Sequence, residues 1–368
     1  MAEQYRVAII GSTGRGNYGH GLDTVWHEIP QTEVVAVADD NAEGLAAAIK
    51  KTGAAKGYAD YAQMLKQEQP DIVAIGPRWI DRHHEMVLAC TEVGAHMYME
   101  KPFCRTMAEA DEMVKAVEAT HVKLAIAHQS RYSPVLTAIQ KMIAEDKLGT
   151  LLEIRARGKE DRRGGAEDLW VLGTHVLDLM RALAGDARSC NARMTNKGQP
   201  VTKADVHPGG EGLGPLAGDG LSATYVFDNN VNGYFSSYRN QAGNPRRFGL
   251  QIFGSKGIAE LFTGYLVPGY YLPDSSWSPG RSGAQWVPIT SNGPGKPESL
   301  DGGNLHSGNV AAVKDLIAAI EEDRLPLGNI YNAAGATEMI HAVFESHRQK
   351  GPVEFPLKNR EHALTMLD

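Results

Sequence analysis

Short apolar runs separated by longer mixed segments dominate the first third of the chain. The runs are nearly continuous and end in glycine, proline or acidic residues, as strands buried on both faces do. The mixed segments predict helices, one stopping at Gly94 and another, 108–119, beginning with a capping box from Thr106 and Glu109. Strand alternating with helix predicts a parallel sheet with right-handed crossovers. The five runs are 6–10, 33–38, 71–75, 96–99 and 123–127.

The pattern changes after about residue 128. The segment 136–143 predicts a helix, whereas 151–158 alternates as a half-solvated antiparallel strand does. Two stretches rich in glycine and proline, 205–220 and 264–303, predict long loops, and apolar stripes predict two closing helices. The further strand candidates are 221–227, 231–238, 248–253 and 258–262, the last two joined by a hairpin turn at Lys256-Gly257.

This change of pattern predicts two domains. We expect an α/β domain with a doubly wound parallel sheet over 1–127 and an α+β domain over 128–368. Whether the closing helices pack back on the first domain is left open.

Composition narrows the class of protein. The chain has 368 residues and a net charge of −7, without a block of Lys or Arg, which disfavours nucleic acid and anionic membranes as partners. No run approaches the ~18 apolar residues of a membrane span, and the first residues show no apolar segment of a signal peptide. The three cysteines and the other potential ligands lack metal-site spacing. We expect a cytoplasmic protein with reduced thiols and no metal centre.

The first predicted strand leads into a glycine-rich segment. A strand, glycines and then a helix let backbone N–H groups approach a pyrophosphate at the positive end of the helix. In Gly-x-Gly-x-x-Gly register, however, Thr13 occupies the middle position and Gly14 comes one step late, so a plain glycine-rich turn explains the spacing as well. The candidate cofactor residues of this segment are Gly11, Thr13, Gly14, Arg15 and Gly16.

An acidic residue at the end of the second strand favours the cofactor interpretation. Asp39 stands where a carboxylate accepts hydrogen bonds from adenosine ribose hydroxyls. The alternative is that Asp39 or Asp40 only caps the next helix. A carboxylate here repels a 2′-phosphate, so we expect NAD, although Arg15 could offset the repulsion and admit NADP.

A lysine follows the fourth strand, in the run Glu100-Lys101-Pro102. Ligands of a doubly wound sheet lie outside the carboxyl ends of its strands, so Lys101 is placed to reach a nicotinamide or a substrate oxygen. An exposed surface lysine is the alternative, and position alone does not separate the two.

Together these motifs resemble the Gfo/Idh/MocA family, which includes glucose-fructose oxidoreductase and inositol dehydrogenase. The resemblance rests on the glycine-rich loop, Asp39 and the runs 94–102, 128–134 and 253–257, and it extends to Glu345-Ser346. It implies a Rossmann domain followed by a domain with a large, open, mostly antiparallel sheet. The exposed face of that sheet would serve oligomerisation, as a homodimer or homotetramer. The resemblance also implies cofactor contacts from Pro77, Glu100, Lys101, Gln129 and Arg131.

The family's second catalytic element is a helix carrying Asp-x-Gly-x-His, and its histidine matches His175. The acid of that motif is replaced by Val171. Asp168 and Asp178 lie on roughly the same helical stripe as His175. A structural histidine beside a core stripe is the alternative for His175. Asp178 either orients the imidazole or bonds a neighbouring helix.

The resemblance and the residue chemistry predict a nicotinamide-dependent oxidoreductase acting on a secondary hydroxyl or ketone of a sugar, polyol or cyclitol. Histidine can take a proton near neutral pH, so His175 is the candidate general base or acid. Lys101 would stabilise the developing alkoxide. Two rivals are a glycosidase of the same family that uses bound NAD in a redox-neutral cycle, and a non-catalytic dinucleotide sensor.

Further substrate contacts are less closely defined. Alternation along the charged run 155–163 puts Arg155, Arg157 and Lys159 on one face and makes Lys159 the preferred contact. A solvated strand edge is the alternative. The predicted substrate contacts are Lys101, Lys159, His175, Asp178 and His306, of which His306 precedes residues that could simply cap a helix.

Aromatic residues are concentrated in the second long loop. They could stack on sugar faces or pack in an interface, and the sequence does not separate these roles. The residues are Tyr270, Tyr271, Trp277 and Trp286.

Overall fold

The structure, a computed structural model, describes residues 4–241 and 247–368. The chain forms two compact units. The first contains the chain up to His128 together with Gly210–Gly214 and Leu305–Ala334, and the second contains Gln129–Gly209, Pro215–Asn304 and Gly335–Asp368. Two segments of the first unit therefore come from beyond the boundary predicted at residue 127. Within the described ranges, no helix combines the length and the apolar character needed to cross a membrane.

A parallel sheet forms the centre of the first unit. Its strands are β1 Tyr5–Ile10, β2 Thr32–Ala38, β3 Lys56–Tyr58, β4 Ile72–Ile75, β5 His96–Met99 and β6 Leu124–Ile126. The six strands lie in the order β3-β2-β1-β4-β5-β6, and every neighbouring pair is parallel. This arrangement confirms the predicted doubly wound Rossmann sheet. The intervening helices are α1 Ala42–Thr52, α2 Tyr61–Glu68, α3 His83–Glu92 and α4 Met107–Thr120.

Side-chain caps explain where two of these helices begin. The Asn41 side chain caps α1 by accepting the N–H of Gly44 at 2.8 Å. Thr106 caps α4 by accepting the N–H of Glu109 at 3.1 Å, which confirms half of the predicted capping box. The Glu109 carboxylate accepts instead from the N–H of Arg105, at 2.8 Å.

The segment after β1 differs from the prediction. We expected a helix directly after the glycines, but residues 12–24 form no helix, and only a 3₁₀ turn, Val25–Glu28, follows. Gly14 and Gly16 adopt φ values of 85° and 90°, which turn the chain back on itself. The glycines therefore shape a compact loop and do not begin a helix.

A large sheet forms the centre of the second unit. Its strands are β7 Leu151–Arg157, β8 Ala187–Asn196, β9 Gln199–Pro200, β12 Gly220–Phe227, β13 Asn232–Tyr238, β14 Gly249–Gly254, β15 Gly257–Phe262, β16 Gly269–Leu272, β17 Val287–Thr290, β18 Gly293–Pro294 and β19 Val353–Glu354. A separate two-stranded sheet consists of β10 His207–Pro208 and β11 Pro215–Leu216. The eleven-stranded sheet confirms the predicted large, mostly antiparallel architecture. β7 pairs antiparallel with β14 but parallel with β13. The antiparallel pairing predicted for 151–158 is therefore correct for one of its two neighbours. The predicted hairpin joins β14 to β15.

The remaining helices belong to the later part of the chain. They are α5 Pro134–Ala144, α6 Ala166–Asp168, α7 Thr174–Ala184, α8 Pro279–Ser282, α9 Leu305–Glu321 and α10 Ile330–Gln349. The helix predicted over 136–143 and both closing helices are thereby confirmed. Between α6 and α7 the backbone forms a π-helical turn, Leu169–Gly173, which the sequence did not predict.

Residues 264–303, predicted as one long loop, contain three strands and α8. Asp274 accepts from the hydroxyls of Ser276 and Ser282 at 2.6 and 2.7 Å and from the N–H groups of Ser276 and Ser278 at 2.9 Å, so its carboxylate fixes the turn before α8. The serine hydroxyls lower the pKa of Asp274 to about 2. Trp277 packs edge-on against Phe253, with 5.1 Å between ring centroids, and its indole N–H donates to a backbone carbonyl. Trp277 thus packs within its own unit, and its roles in sugar stacking or in an interface stay predictions.

A buried cluster of rings lies beside the π-helical turn. Trp170, His341, Phe344 and His362 pack with centroid separations between 5.2 and 6.5 Å. His362 is 4% exposed, and burial lowers its pKa from 6.5 to about 4. The folded protein therefore holds this imidazole neutral near neutral pH.

We expect the free energy of unfolding to fall as the pH drops from 6.5 towards 4. In this window the unfolded chain binds a proton at His362 and the folded chain does not, which favours unfolding by on the order of 3 kcal/mol at the acid end. Urea unfolding at a series of pH values measures the effect. His362→Phe should flatten the curve in this window, and a variant that keeps the parent's slope would contradict the assignment.

Candidate coenzyme and active site

Glu100, directly after β5, ties the glycine-rich segment to the candidate lysine. Its fully buried carboxylate accepts the N–H of His20 at 2.9 Å, lies 2.5 Å from His20 Nδ1 and accepts the N–H of Lys101 at 2.9 Å. Burial alone would raise the pKa of Glu100, but the His20 hydrogen bonds and the Lys101 charge lower it below its usual value. A Cβ added at Gly19 would lie 2.5 Å from Glu100 Cγ, so this close approach requires glycine.

Lys101 lies at the predicted C-terminal edge of the parallel sheet. It is 5% exposed, which excludes the alternative of an exposed surface lysine. His83 contacts two turns, the one after β4 and the one that contains Lys101. Its Nε2 lies 2.7 Å from the carbonyl oxygen of Pro77, and its Nδ1 lies 2.9 Å from the carbonyl oxygen of Pro102. His83 therefore fixes two turns that carry predicted cofactor residues.

Asp39 is at the predicted position but faces the protein. It is 2% exposed, and its oxygens accept from Thr13 N–H, Thr13 Oγ1–H, Tyr18 O–H and Asn41 N–H at 2.7 to 3.1 Å. Burial and the bond to Asp39 raise the pKa of the Tyr18 phenol. In this structure the carboxylate orders the loop, and the helix cap belongs to Asn41.

Arg15 has a partner other than a coenzyme phosphate. Its guanidinium forms an ion pair with Asp81 and stacks on Trp79, 4.4 Å from the ring centroid. The positive charge that was expected to offset repulsion of a 2′-phosphate is thus already compensated.

In the second unit, Arg131 and Asp178 form a buried ion pair. Arg131 Nε and Nη2 donate to the carboxylate at 2.8 and 2.7 Å, and Nη2 also donates to the Asp178 carbonyl oxygen at 2.9 Å. The Arg131 side chain is 13% exposed and that of Asp178 is fully buried. The structure shows the two residues bonded to each other, and the cofactor contact by Arg131 and the substrate contact by Asp178 stay predictions. Gln129 lies in the same 3₁₀ turn as Arg131 and is buried.

His175 lies on the first turn of α7 and is 9% exposed. An i→i+5 turn contains more residues than an α-helical turn, so the stripe predicted for Asp168 and His175 does not continue across the π-helical turn. Asp168 instead accepts from the Ser237 hydroxyl at 2.5 Å and from the N–H of Glu160 at 3.0 Å. Burial raises the pKa of Asp168 above its usual value.

Several charged side chains of the segment 155–163 form ion pairs with other residues of the second unit. Glu160 is fully buried between Arg157 and Arg247, whose guanidinium nitrogens lie 2.6 and 2.8 Å from its oxygens. Lys159 has a side chain that is 48% exposed and lies 3.7 Å from Asp161. β7 ends at Arg157, so the strand alternation used to select Lys159 stops before that residue.

His306 lies in the first turn of α9 and pairs with a glutamate at the surface of the first unit. Its Nε2 lies 2.6 Å from Glu28 Oε1, and the two side chains are 36% and 59% exposed. The contact that the structure shows for His306 is the one with Glu28, and its substrate contact stays a prediction.

The first unit fits an NAD molecule in part. Gly14 combines a positive φ with open space, since no atom lies within 4 Å of an added Cβ. Ser12 Oγ is buried without a hydrogen-bond partner among residues 4–241 and 247–368. An open backbone turn and an unused hydroxyl suit a pyrophosphate. The carboxylate of Asp39 accepts from four donors of the protein, and its contact with the ribose hydroxyls stays a prediction.

Comparison with known proteins identifies the family. Residues 5–128 match the model of the oxidoreductase family with an NAD-binding Rossmann fold, and residues 136–260 match the GFO/IDH/MocA C-terminal domain. The chain belongs to the Gfo/Idh/MocA family of oxidoreductases. The match confirms the predicted NAD-binding Rossmann domain and the family resemblance.

Several relatives are named dehydrogenases. D-apiose dehydrogenase of Paraburkholderia graminis is 29% identical over 217 residues, which cover 55% of this chain and 56% of that protein. Levoglucosan dehydrogenase of Pseudarthrobacter phenanthrenivorans is 26% identical over 254 residues, covering 62% and 64%. The matches thus span between half and two thirds of the length of these relatives. A solved levoglucosan dehydrogenase in complex with NADH and levoglucosan has the same fold, with a TM-score of 0.78 at 20% identity over 96% of this chain and 100% of that one.

Three residues with clear positions in the site escaped the sequence-based prediction. Tyr18, His20 and His83 contact partners that lie between 19 and 80 residues away in the chain. A short motif shows only local spacing, so it contains no signal for such contacts. The one local hint was the row of glycines through which the Tyr18-to-His20 segment passes.

We expect Asp178→Ala to lower the free energy of unfolding by about 3 kcal/mol, because it leaves the Arg131 charge buried without its carboxylate. Urea unfolding monitored by tryptophan fluorescence measures the loss. The matched control is Asp146→Ala, which removes an exposed ion pair with Lys256 and should cost less than about 1 kcal/mol. Equal losses in the two variants would refute a special role for the buried pair.

Proposed function

We propose that this protein is a nicotinamide-dependent oxidoreductase that oxidises or reduces a secondary hydroxyl or ketone of a sugar, polyol or cyclitol. The observation that carries the proposal is a buried lysine at the carboxyl edge of an NAD-binding Rossmann sheet, held there by an ionised glutamate. The names of the relatives, D-apiose dehydrogenase and levoglucosan dehydrogenase, support this class of substrate.

The proposed chemistry divides between two side chains. When bound, NAD accepts a hydride from the carbon that bears the hydroxyl. Lys101 supplies a positive charge that stabilises the oxygen as its proton leaves. His175 takes that proton as the general base and returns it as the general acid in the reverse direction. Lys159 is proposed as an additional contact for substrate hydroxyls because its ammonium group is exposed.

The test is to incubate the protein with NAD⁺ and a panel of sugars, polyols and cyclitols while following nicotinamide absorbance. Dinucleotide released on denaturation identifies any coenzyme that copurifies. Net formation of NADH with at least one compound is expected. Products without net NADH would support the redox-neutral glycosidase, and coenzyme binding without turnover across the panel would support the sensor.

We further propose a cytoplasmic protein that assembles through the sheet of the second unit. Cys90, Cys104 and Cys190 are buried and free, which suits a reducing compartment. Tyr234 and Tyr238 lie on β13 with 39% and 40% exposure, which suits an interface on this sheet. Light scattering of the purified protein distinguishes a homodimer or homotetramer from a monomer.

We expect Lys101→Ala and His175→Ala each to lower kcat by about a hundredfold or more, because each removes a group that stabilises the transition state or takes the proton. Steady-state kinetics with the best compound of the panel measures the loss, and far-UV circular dichroism checks that each variant folds. Lys141→Ala is the control, since that lysine is 74% exposed and outside the proposed site. Parental turnover by either variant would show that its residue has no catalytic role.

A further inference from the structure

The turn after β7, residues 158–160, presents a single side chain to solvent. Gly158 has no side chain, and the side chain of Glu160 is fully buried. Lys159, between them, has a side chain that is 48% exposed. Its ammonium nitrogen lies 3.7 Å from Asp161, beyond hydrogen-bond distance. Since a surface ion pair at this distance contributes little free energy, the ammonium group can exchange it for a ligand at small cost.

Glu160 gives this turn an unfavourable backbone conformation. Its φ is 58°, in the left-handed region that residues other than glycine seldom adopt. The carboxylate anchors it there, because it forms ion pairs with Arg157 and Arg247 at 2.6 and 2.8 Å and accepts the N–H of Tyr238 at 3.1 Å. Strained conformations persist only where the surrounding structure enforces them, and they are concentrated at functional sites. The turn is therefore a candidate part of the substrate site.

A second carboxylate holds the backbone of the same turn. Asp168 is fully buried and accepts the N–H groups of Lys159 and Glu160 at 3.2 and 3.0 Å. It also accepts the hydroxyl of Ser237 at 2.5 Å, so all three of these neighbours are donors that suit a carboxylate. The approach requires glycine at position 158, since a Cβ added at Gly158 would lie 2.0 Å from Asp168 Oδ2.

Asp168 also borders the helical segment that carries His175. It is the last residue of α6, and the π-helical turn Leu169–Gly173 connects it to α7. Val171, which replaces the acid of the family's motif, lies inside this turn and is 4% exposed. π-Helical turns are frequent at functional sites. One carboxylate therefore joins the backbone that carries Lys159 to the segment that carries His175.

We propose that Asp168 is a positioning residue for substrate binding, which fixes the turn after β7 so that Lys159 contacts a hydroxyl of the sugar, polyol or cyclitol on which His175 acts. The inference rests on the proposed function. Asp168 does not touch the substrate, because its carboxylate is fully buried, and it acts through the N–H groups that it holds. A turn that is fixed before binding loses less conformational entropy when the Lys159 ammonium binds.

Hydrogen exchange of the full-length protein tests whether Asp168 holds the turn. Asp168→Asn replaces one carboxylate oxygen by an NH₂ group, which donates and does not accept. Exchange of the amides of 158–160 should become about tenfold faster or more, as measured by mass spectrometry of the peptide that contains them. The matched control is Glu345→Gln, which changes a buried carboxylate of the same unit, paired with Arg348 on α10, and should leave this peptide unchanged. Unchanged exchange in Asp168→Asn would overturn the proposal.

A double-mutant cycle tests whether the turn serves the substrate. Steady-state kinetics uses saturating NAD⁺ and the compound of the panel that gives NADH fastest. Lys159→Ala should raise KM about tenfold, and Asp168→Asn should raise KM by a similar factor with a smaller change in kcat. The double variant should be no worse than Lys159→Ala, because both changes remove the same contact. An unchanged KM in Lys159→Ala, or two effects that multiply in the double variant, would overturn the proposal.

A milder variant covers loss of folding in Asp168→Asn. Ser237→Ala removes one donor to Asp168, and it should raise KM by a smaller factor that disappears in the Lys159→Ala background. No effect of Ser237→Ala on KM, or an effect that persists in that background, would overturn the role of Asp168 while leaving the proposed function intact. Absence of NADH formation by the parent with every compound would overturn both the proposed function and this inference.

Discussion

Buried carboxylates organise the candidate site, because a charge removed from water must be met by donors from whatever chain lies nearby. Glu100 collects them from the glycine-rich segment and from the residue that follows it. Asp39 collects them from the loop after β1, and Asp178 from a turn in the second unit. Each carboxylate thereby joins segments that are distant in sequence and fixes their conformation.

This constraint explains why the first unit tolerates a loop where a helix was expected. A helix offers free N–H groups at its first turn, whereas the loop here directs its donors to Asp39 and Glu100. Gly19 permits the chain to pass against Glu100, and Gly14 leaves open space beside the backbone. The loop is thus ordered by the protein while one of its turns remains open to a ligand.

The same constraint separates side chains that the structure shows bonded to each other from side chains that are proposed to act on a substrate. Arg131 forms an ion pair with Asp178, and Arg15 forms one with Asp81. The two candidate lysines have different environments. Lys101 is buried beside an ionised glutamate, whereas the side chain of Lys159 is exposed. The role of a side chain therefore depends on its neighbours as well as on its position on a strand or helix.

The sequence by itself indicated five of the six strands of the parallel sheet, the family and the position of Lys101 directly after a buried strand. These follow from local information: apolar runs, caps and a short motif after a buried strand. Only the tertiary structure decided which of Asp39 and Asp40 is exposed, that Arg131 pairs with Asp178, and that a π-helical turn separates Asp168 from His175. These features depend on hydrogen-bond donors that are distant in sequence and on one extra residue in a helical turn. The spacing of residues within a motif contains no information on either.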